Sequence, residues 1–236
     1  MIIRPLFSFY GAKFRASKYY PQPKYNKIIE PFAGSGCYSL RYWKNHDVLL
    51  NEIDPVIYEL WRLLINISSH TVLHLPDEIS DLYEKDPMRS LIGFWYNKGQ
   101  VKPTTTKCKW MVGKDSKGRN WKDQFWGDRV RKRIANNLHA IRRFQITNKD
   151  YSELENEEAT WFIDPPYKKK GTHYIYNEID YDHLGKWCLE RKGQIIVCEQ
   201  EGADWLDFKP FRKLRALKKE YSNEVCYGRE NSQRIN

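Results

Sequence analysis

The stretch "TWFIDPPYKKK", Thr160 to Lys170, ends an apolar run with a carboxylate, two prolines, a tyrosine and three lysines. Two successive prolines remove two backbone donors and fix φ twice, so neither a helix nor a central strand continues through them. The residues before them are β-branched and aromatic, which suits a buried strand. That strand would deliver Asp164 to its carboxyl end. A second chemical stretch is "EPFAGSG", Glu30 to Gly36, an apolar strand running into a glycine-rich turn. Gly34 and Gly36 lack a Cβ and let backbone approach a ligand closely. The pattern is not G-x-G-x-x-G, and no G-x-x-x-x-G-K-[ST] follows, so neither a dinucleotide nor a triphosphate is its natural ligand. A third is "NEID", where Glu52 and Asp54 close another apolar strand and a carboxylate can accept bonds from two ribose hydroxyls.

The elements that must carry these residues follow from periodicity. "KIIE" and "DVLLNEID" read as buried strands, "CYSLRYWKNH" as a helix, and "PVIYELWRLLINI" as an amphipathic helix with Pro55 at its first position. Two strand-turn-helix units in succession predict a parallel α/β sheet. From about Ser68 to Arg143 the strand pattern vanishes. Between Lys98 and Arg143 stand fourteen Lys or Arg against Asp115, Asp123 and Asp128, enough to account for the whole chain's net +10. "NWKDQFWGDRVRKRIANNLHAIRR" reads there as one long helix with a very basic face. The alternation resumes with "FQITN", "ATWFID", the helix "YDHLGKWCLERK" and the strand "QIIVCE", and the tail "FRKLRALKKEYSNEVCYG" reads as an edge hairpin. The expected architecture is an α/β domain made of 1–67 and 144–236, interrupted by a mainly helical basic insertion at 68–143.

Composition narrows the function. With 41% hydrophobic and 15% aromatic residues the chain should be globular. Forty Lys and Arg against thirty Asp and Glu point to a polyanionic partner, nucleic acid before an anionic membrane surface. Five cysteines without a C-x-x-C pair, and His70 and His74 without a completing ligand, predict free thiols and no metal. Met1-Ile2-Ile3-Arg4-Pro5 is too soon interrupted for a signal peptide, and no apolar run reaches a membrane span, so a cytoplasmic protein is expected.

Taken together and in order, "FSFYGAK", "EPFAGSG", "NEID" and "DPPY" resemble the motifs of the α-group DNA N6-adenine methyltransferases, the Dam-like family. The resemblance spans nearly the whole chain. It implies a Rossmann-like sheet that binds S-adenosyl-L-methionine, and a helical insertion that reads duplex DNA. Phe9, Tyr10 and Lys13 resemble the family's N-terminal cofactor-pocket residues. Pro31, Phe32, Ala33, Gly34, Ser35 and Gly36 resemble the loop around the methionine moiety. Glu52 resembles the ribose-binding acid, with Asp54 as second choice, and Asp150 the position meeting the adenine ring, although "TNKDY" is also an ordinary turn.

In "DPPY" the resemblance implies Asp164, Pro165, Pro166 and Tyr167 as the catalytic group. Asp164 and the Pro165 carbonyl would accept hydrogen bonds from the two N–H groups of an exocyclic amine and stabilise the positive charge that develops on it. The prolines pre-set the backbone, and Tyr167 offers a face to a base extruded from the helix. Lys168, Lys169 and Lys170 would bind flanking phosphates, or form a solvated charge run. In the insertion, Tyr96, Asn97, Gly99 and Pro103 echo part of the family's target-reading stretch, and Tyr96, Asn97 and Lys98 are DNA-binding candidates. Lys107, Lys109, Arg119, Lys122 and Arg129 would meet phosphates.

Trp95 stands where GATC-methylating members carry arginine, and their Phe-Asn is absent, which leaves the target open between another site and relaxed preference. Gly11-Ala12 replaces a double glycine. Two alternatives share the motifs: cytosine-N4 methylation, and a non-catalytic nucleic-acid-binding protein on the same fold. A monomer or weak dimer is expected.

Overall fold

The computed structural model describes residues 2–113, 122–169, 171–215 and 221–231. Its frame is a seven-stranded sheet: β1 (Lys27–Glu30), β2 (Asp47–Asn51), β3 (Gln145–Thr147), β4 (Ala159–Ile163), β5 (Gly193–Gln200), β6 (Lys209–Arg215) and β7 (Tyr221–Asn231). The order is β3-β2-β1-β4-β5-β7-β6. The first five run parallel, with Ile28 in register with both Val48 and Thr160, and Trp161 with Ile195. β7 then pairs antiparallel with β5 on one side and with β6 on the other. The chain order thus reverses between β1 and β4. In an open α/β sheet the crevice beyond the carboxyl ends at that point is where ligands bind.

Parallel strands covered on both faces must be apolar on both faces. β4 is buried at every residue, and its side chains alternate between two cores. Phe162, Ile28, Ile196 and Cys198 face one cluster, and Trp161, Ile163, Ile29, Ile195 and Val197 the other. The second cluster is closed by the helix Tyr181–Glu190, which lays down Leu184, Trp187 and Cys188 and whose first N–H groups are capped by Asp180. On the first face lies the helix Pro55–Asn66. Pro55 starts it, Asp54 accepts from Val56 N at 2.9 Å as its cap, and Ile57, Leu60, Trp61 and Leu64 form its buried stripe.

Between that helix and β3 the helices Ser69–Leu73, Met88–Tyr96, Lys109–Val112 and Asp128–Asn137 follow. Their buried residues, Ile92, Phe94, Val130 and Ile134 among them, join the same cluster as Phe7, Trp61 and Leu64. With the short helix Ser39–Tyr42, the helices are α1 (Ser39–Tyr42), α2 (Pro55–Asn66), α3 (Ser69–Leu73), α4 (Met88–Tyr96), α5 (Lys109–Val112), α6 (Asp128–Asn137) and α7 (Tyr181–Glu190).

Two elements differ from expectation. α1 covers four residues only, because β2 already begins at Asp47, tied to Asn26 by a 2.9 Å backbone bond. The long basic helix is a 3₁₀ turn at 122–124, then α6, then a second 3₁₀ turn at 138–141. The break falls at Gly127, whose φ of +151° lies outside the helical region. The tail does form a hairpin, but β7 is interior and β6 alone is the edge. Among the described residues no helix is long and apolar enough to cross a membrane.

Candidate active site

The carboxyl ends of β1, β2 and β4 bring three separate sequence stretches to one cleft. Its walls include Phe9 to Lys13, Glu30, Phe32 to Ser35, Glu52 to Asp54, Asp164, Pro166 and the aromatic segment Tyr174 to Tyr176. The glycine turn between β1 and α1 is gripped from both sides. Glu52 Oε2 accepts from Gly34 N at 2.9 Å, and the Trp61 indole of α2 donates to Gly34 O at 2.8 Å. A side chain at Gly36 would meet Trp61 at 2.9 Å, and its φ is +59°. Glycine is therefore required there by the neighbouring helix as well as by the turn. Of the six loop residues, Phe32 through Ser35 line the cleft. Pro31 instead accepts from Asn51 Nδ2 at 3.0 Å, and Gly36 faces Trp61.

Asp164 leaves β4 into the cleft with its side chain 18% exposed. Lys13 Nζ sits 3.0 Å from Asp164 Oδ1 and 3.6 Å from Glu224 Oε1, and lies over the Tyr167 ring at 4.7 Å from its centre. Burial alone would lower the ammonium's pKa. The charges of Asp164, Tyr167 and Glu224 outweigh it and hold Lys13 well above its usual value, firmly protonated. Burial raises the Asp164 carboxyl, and Lys13 opposes the shift. Oδ1 thus faces the Lys13 ammonium, and this close ion pair sets where the carboxylate stands in the cleft.

Four carboxyl groups line this cleft against one ammonium. Burial pushes Glu30 up to about 8 and Glu52 to about 7, with the bonds from Ser39 to Glu30 and from Gly34 to Glu52 pulling back. At neutral pH Glu30 is therefore largely protonated and Glu52 partly so, and the apolar cleft offers its carboxyl groups as hydrogen-bond partners to a ligand carrying hydroxyl or amine groups. Asp54 lies on the wall but its side chain is committed to capping α2.

Other expected residues fall in different places. Asp150 is exposed and accepts from Ser152 N and Oγ at 2.9 and 2.5 Å. It edges a shallow extension of the cleft that shares Phe32, Ile53, Ile175 and Tyr176. Tyr167 does not line the cleft. Its hydroxyl donates to Glu224 at 3.3 Å and its ring lies under Lys13, so it is not an open platform; Tyr10 and Tyr174, 5.6 Å apart, present the aromatic wall instead. Pro165 is buried outside the wall, and the Pro166 carbonyl accepts from Tyr181 at 2.6 Å. Lys168 reaches Asp204 at 2.7 Å and Lys169 is exposed, while Lys170 and Arg119 lie outside the described residues, as does the side chain of Lys122.

In the helical segment, Tyr96 is 1% exposed, accepts from Ile79 N and donates to Asp77 O, so it is a core residue and not a reader of bases. Lys107 pairs with Glu78. Lys98 lies between Trp95 and Phe125. Asn97 ends α4, and Lys109 and Arg129 are exposed. His70 and His74 stack on α3, and among the described residues no group of His, Cys, Asp and Glu is gathered as a metal site.

Sequence reasoning missed Glu30 and Glu224. Glu30 had a visible signal, an acid inside an apolar strand immediately before the glycine turn. Glu224 had none, because it reaches Lys13, Tyr167 and Tyr20 only through the position of β7.

No family model and no curated protein matches the chain. Among solved structures a match is a conserved hypothetical protein from Streptococcus pyogenes, 11% identical, spanning 96% of this chain and 97% of that one at a TM-score of 0.38, too loose a likeness to bear on function.

Proposed function

We propose that this protein transfers a methyl group from S-adenosyl-L-methionine to the N6 amine of an adenine turned out of duplex DNA, as the resemblance to the Dam-like family implies. The observation carrying the proposal is the meeting of Asp164, the glycine loop and Glu52 in one cleft at the sheet's reversal point, with Lys13 beside Asp164. The residues suit the cofactor. Its ribose hydroxyls match Glu52, and Phe32 and the extension bordered by Asp150 suit an adenine ring. When bound it supplies an electrophilic methyl group, so the chain itself need not furnish a nucleophile or a metal.

The chain's part is orientation and charge. The Asp164 carboxylate takes one N–H of the target amine and steadies the positive charge that grows on its nitrogen. Lys13 opposes the effect of burial on the Asp164 carboxyl, and Glu224 keeps Lys13 in place. The prolines hold the backbone after Asp164 stiffly, and Tyr10 and Tyr174, packed edge to face, offer aromatic surface to an extruded base. The helical segment, rich in Lys and Arg, would supply the contacts to the duplex.

The test is incubation with methyl-labelled S-adenosyl-L-methionine and duplex DNA, followed by digestion to nucleosides. Label in N6-methyladenine supports the proposal. Label in N4-methylcytosine assigns the same geometry to the other exocyclic amine, and binding of DNA with no label in either marks a non-catalytic binding protein.

A further inference from the structure

The segment that forms one wall of the cleft also runs along the helical layer. Tyr10 N donates to Gln100 O at 3.2 Å, Gly99 N donates to Ser8 Oγ at 3.0 Å, and the Trp95 indole donates to Leu6 O at 3.0 Å. These bonds lay residues 6–10 along the end of α4 and the residues after it, with Arg4 and Arg15 at either end of that stretch. At that seam four cations gather: Arg4, Arg15, Lys98 and Arg133.

Trp95 holds two of them, with Arg133 at 4.6 Å from its ring and Lys98 at 5.9 Å. Among the described residues none of the four has a carboxylate partner. Arg133 Nε and Nη2 are buried and donate to nothing. Burial and the nearby charges of Arg4 and Arg129 lower the Arg133 guanidinium to about 10. Lys98 is likewise lowered, by burial and by Arg133, Arg15 and Arg4. Their neighbours show the contrast: Arg131, one turn position away on α6, is paired with both Asp77 and Asp128, and Lys107 with Glu78. Like charges held together at a cost, with donors left over, call for an anion.

We propose that Arg4, Arg15, Lys98 and Arg133 form a clamp for consecutive phosphates of the DNA strand whose base enters the cleft, a site that rests on the duplex-DNA reading above. Arg15 stands two residues from Lys13, so phosphates seated there flank the cleft. The clamp reads no bases; it fixes where along the backbone the extruded nucleotide sits.

The experiment measures binding of a fluorescent duplex by anisotropy across salt concentrations, for the wild type, Arg133→Ala, the double variant Arg4→Ala/Arg15→Ala, and Lys186→Ala on α7 across the sheet. Binding of S-adenosyl-L-methionine to each protein is followed by calorimetry. Removal of each clamp cation should weaken duplex binding about tenfold at low salt and flatten the slope of log K against log salt by about 0.9. Cofactor affinity should be unchanged, and Lys186→Ala should match the wild type. Arg4 and Arg15 are exposed, so their variant tests the clamp even if Arg133→Ala unfolds. Wild-type affinity and slope in the double variant would overturn the clamp, as would a larger loss for single-stranded RNA than for the duplex. A wild type that fails to bind S-adenosyl-L-methionine removes the methyltransferase reading, and the salt slopes still decide the clamp.

Discussion

The cleft at the sheet's reversal point and the helical layer from Ser68 to Arg143 both looked chemically loaded, yet they use charge in opposite ways. At the cleft, Asp164 and Glu224 hold the one lysine between them, while Glu30, Glu52 and Asp54 stand along the same wall. In the helical layer most conspicuous polar residues are already engaged. Arg131 joins Leu75 O, Asp77 and Asp128, Tyr96 ties the 3₁₀ turn at 79–81 to α4, and Arg142 binds the carbonyls of Ile65 and Ile67. A count of basic residues therefore overstates how many can meet a polyanion. What matters is which cations lack an acidic partner, and among the described residues Arg133 is one, with Nε and Nη2 buried and donating to nothing.

That contrast can be broken experimentally. The largest effect should come from Asp164→Asn, which keeps the volume but removes the charge facing Lys13. Label transfer in single turnover should fall about 10²- to 10³-fold, with duplex affinity unchanged; transfer near the wild-type rate would remove Asp164 from the chemistry. Next is Arg131→Ala, which strands the Leu75 carbonyl and strips the packing over Trp126. It should lower folding stability by about 2 kcal/mol in urea unfolding, while duplex affinity, measured on the folded protein, stays the same. A loss of DNA binding without a loss of stability would return Arg131 to the phosphate-binding set.

A third prediction concerns pH. Glu30 is raised to about 8 in the folded chain from an ordinary 4.5, so between those values the native state holds a proton that the unfolded state has released. This contribution to stability is present at low pH and declines as pH rises toward 8. Glu30→Gln, which can still accept from Ser39 N, should gain on the wild type steadily from about pH 5 to pH 8 in unfolding midpoint. Parallel pH curves for the two proteins would show that Glu30 is not buried as described. The smallest effect belongs to Lys168→Ala. Its pair with Asp204 is solvent-exposed, so the urea unfolding midpoint should stay where it is in the wild type. A tenfold loss in duplex affinity would instead place Lys168 on the backbone.

Much of the sheet was legible because parallel strands buried on both faces leave unbroken apolar runs, as at "KIIE", "ATWFI" and "QIIVCE". The start of α2 was legible from Pro55, and the cleft's glycine loop, Glu52 and Asp164 from their motifs. The extent of α1 was not, since the nearby start of β2 limits it. Nor was the break at Gly127 read from a segment whose basic and apolar residues kept helical spacing on either side.

The sequence by itself determined which residues stand at the strand ends, because strand, turn and helix periodicity are local properties of the chain. Only the tertiary structure decided which charges meet. Glu224 joins Lys13 because β7 inserts between β5 and β6, more than two hundred residues from Lys13 along the chain. Tyr167 is covered rather than open because that lysine lies over it. Arg131 and Arg133 differ by two positions, yet one is neutralised by two acids and the other stacks on Trp95 with donors to spare. Pairing depends on distances between segments far apart in sequence, and a one-dimensional pattern carries no such distances.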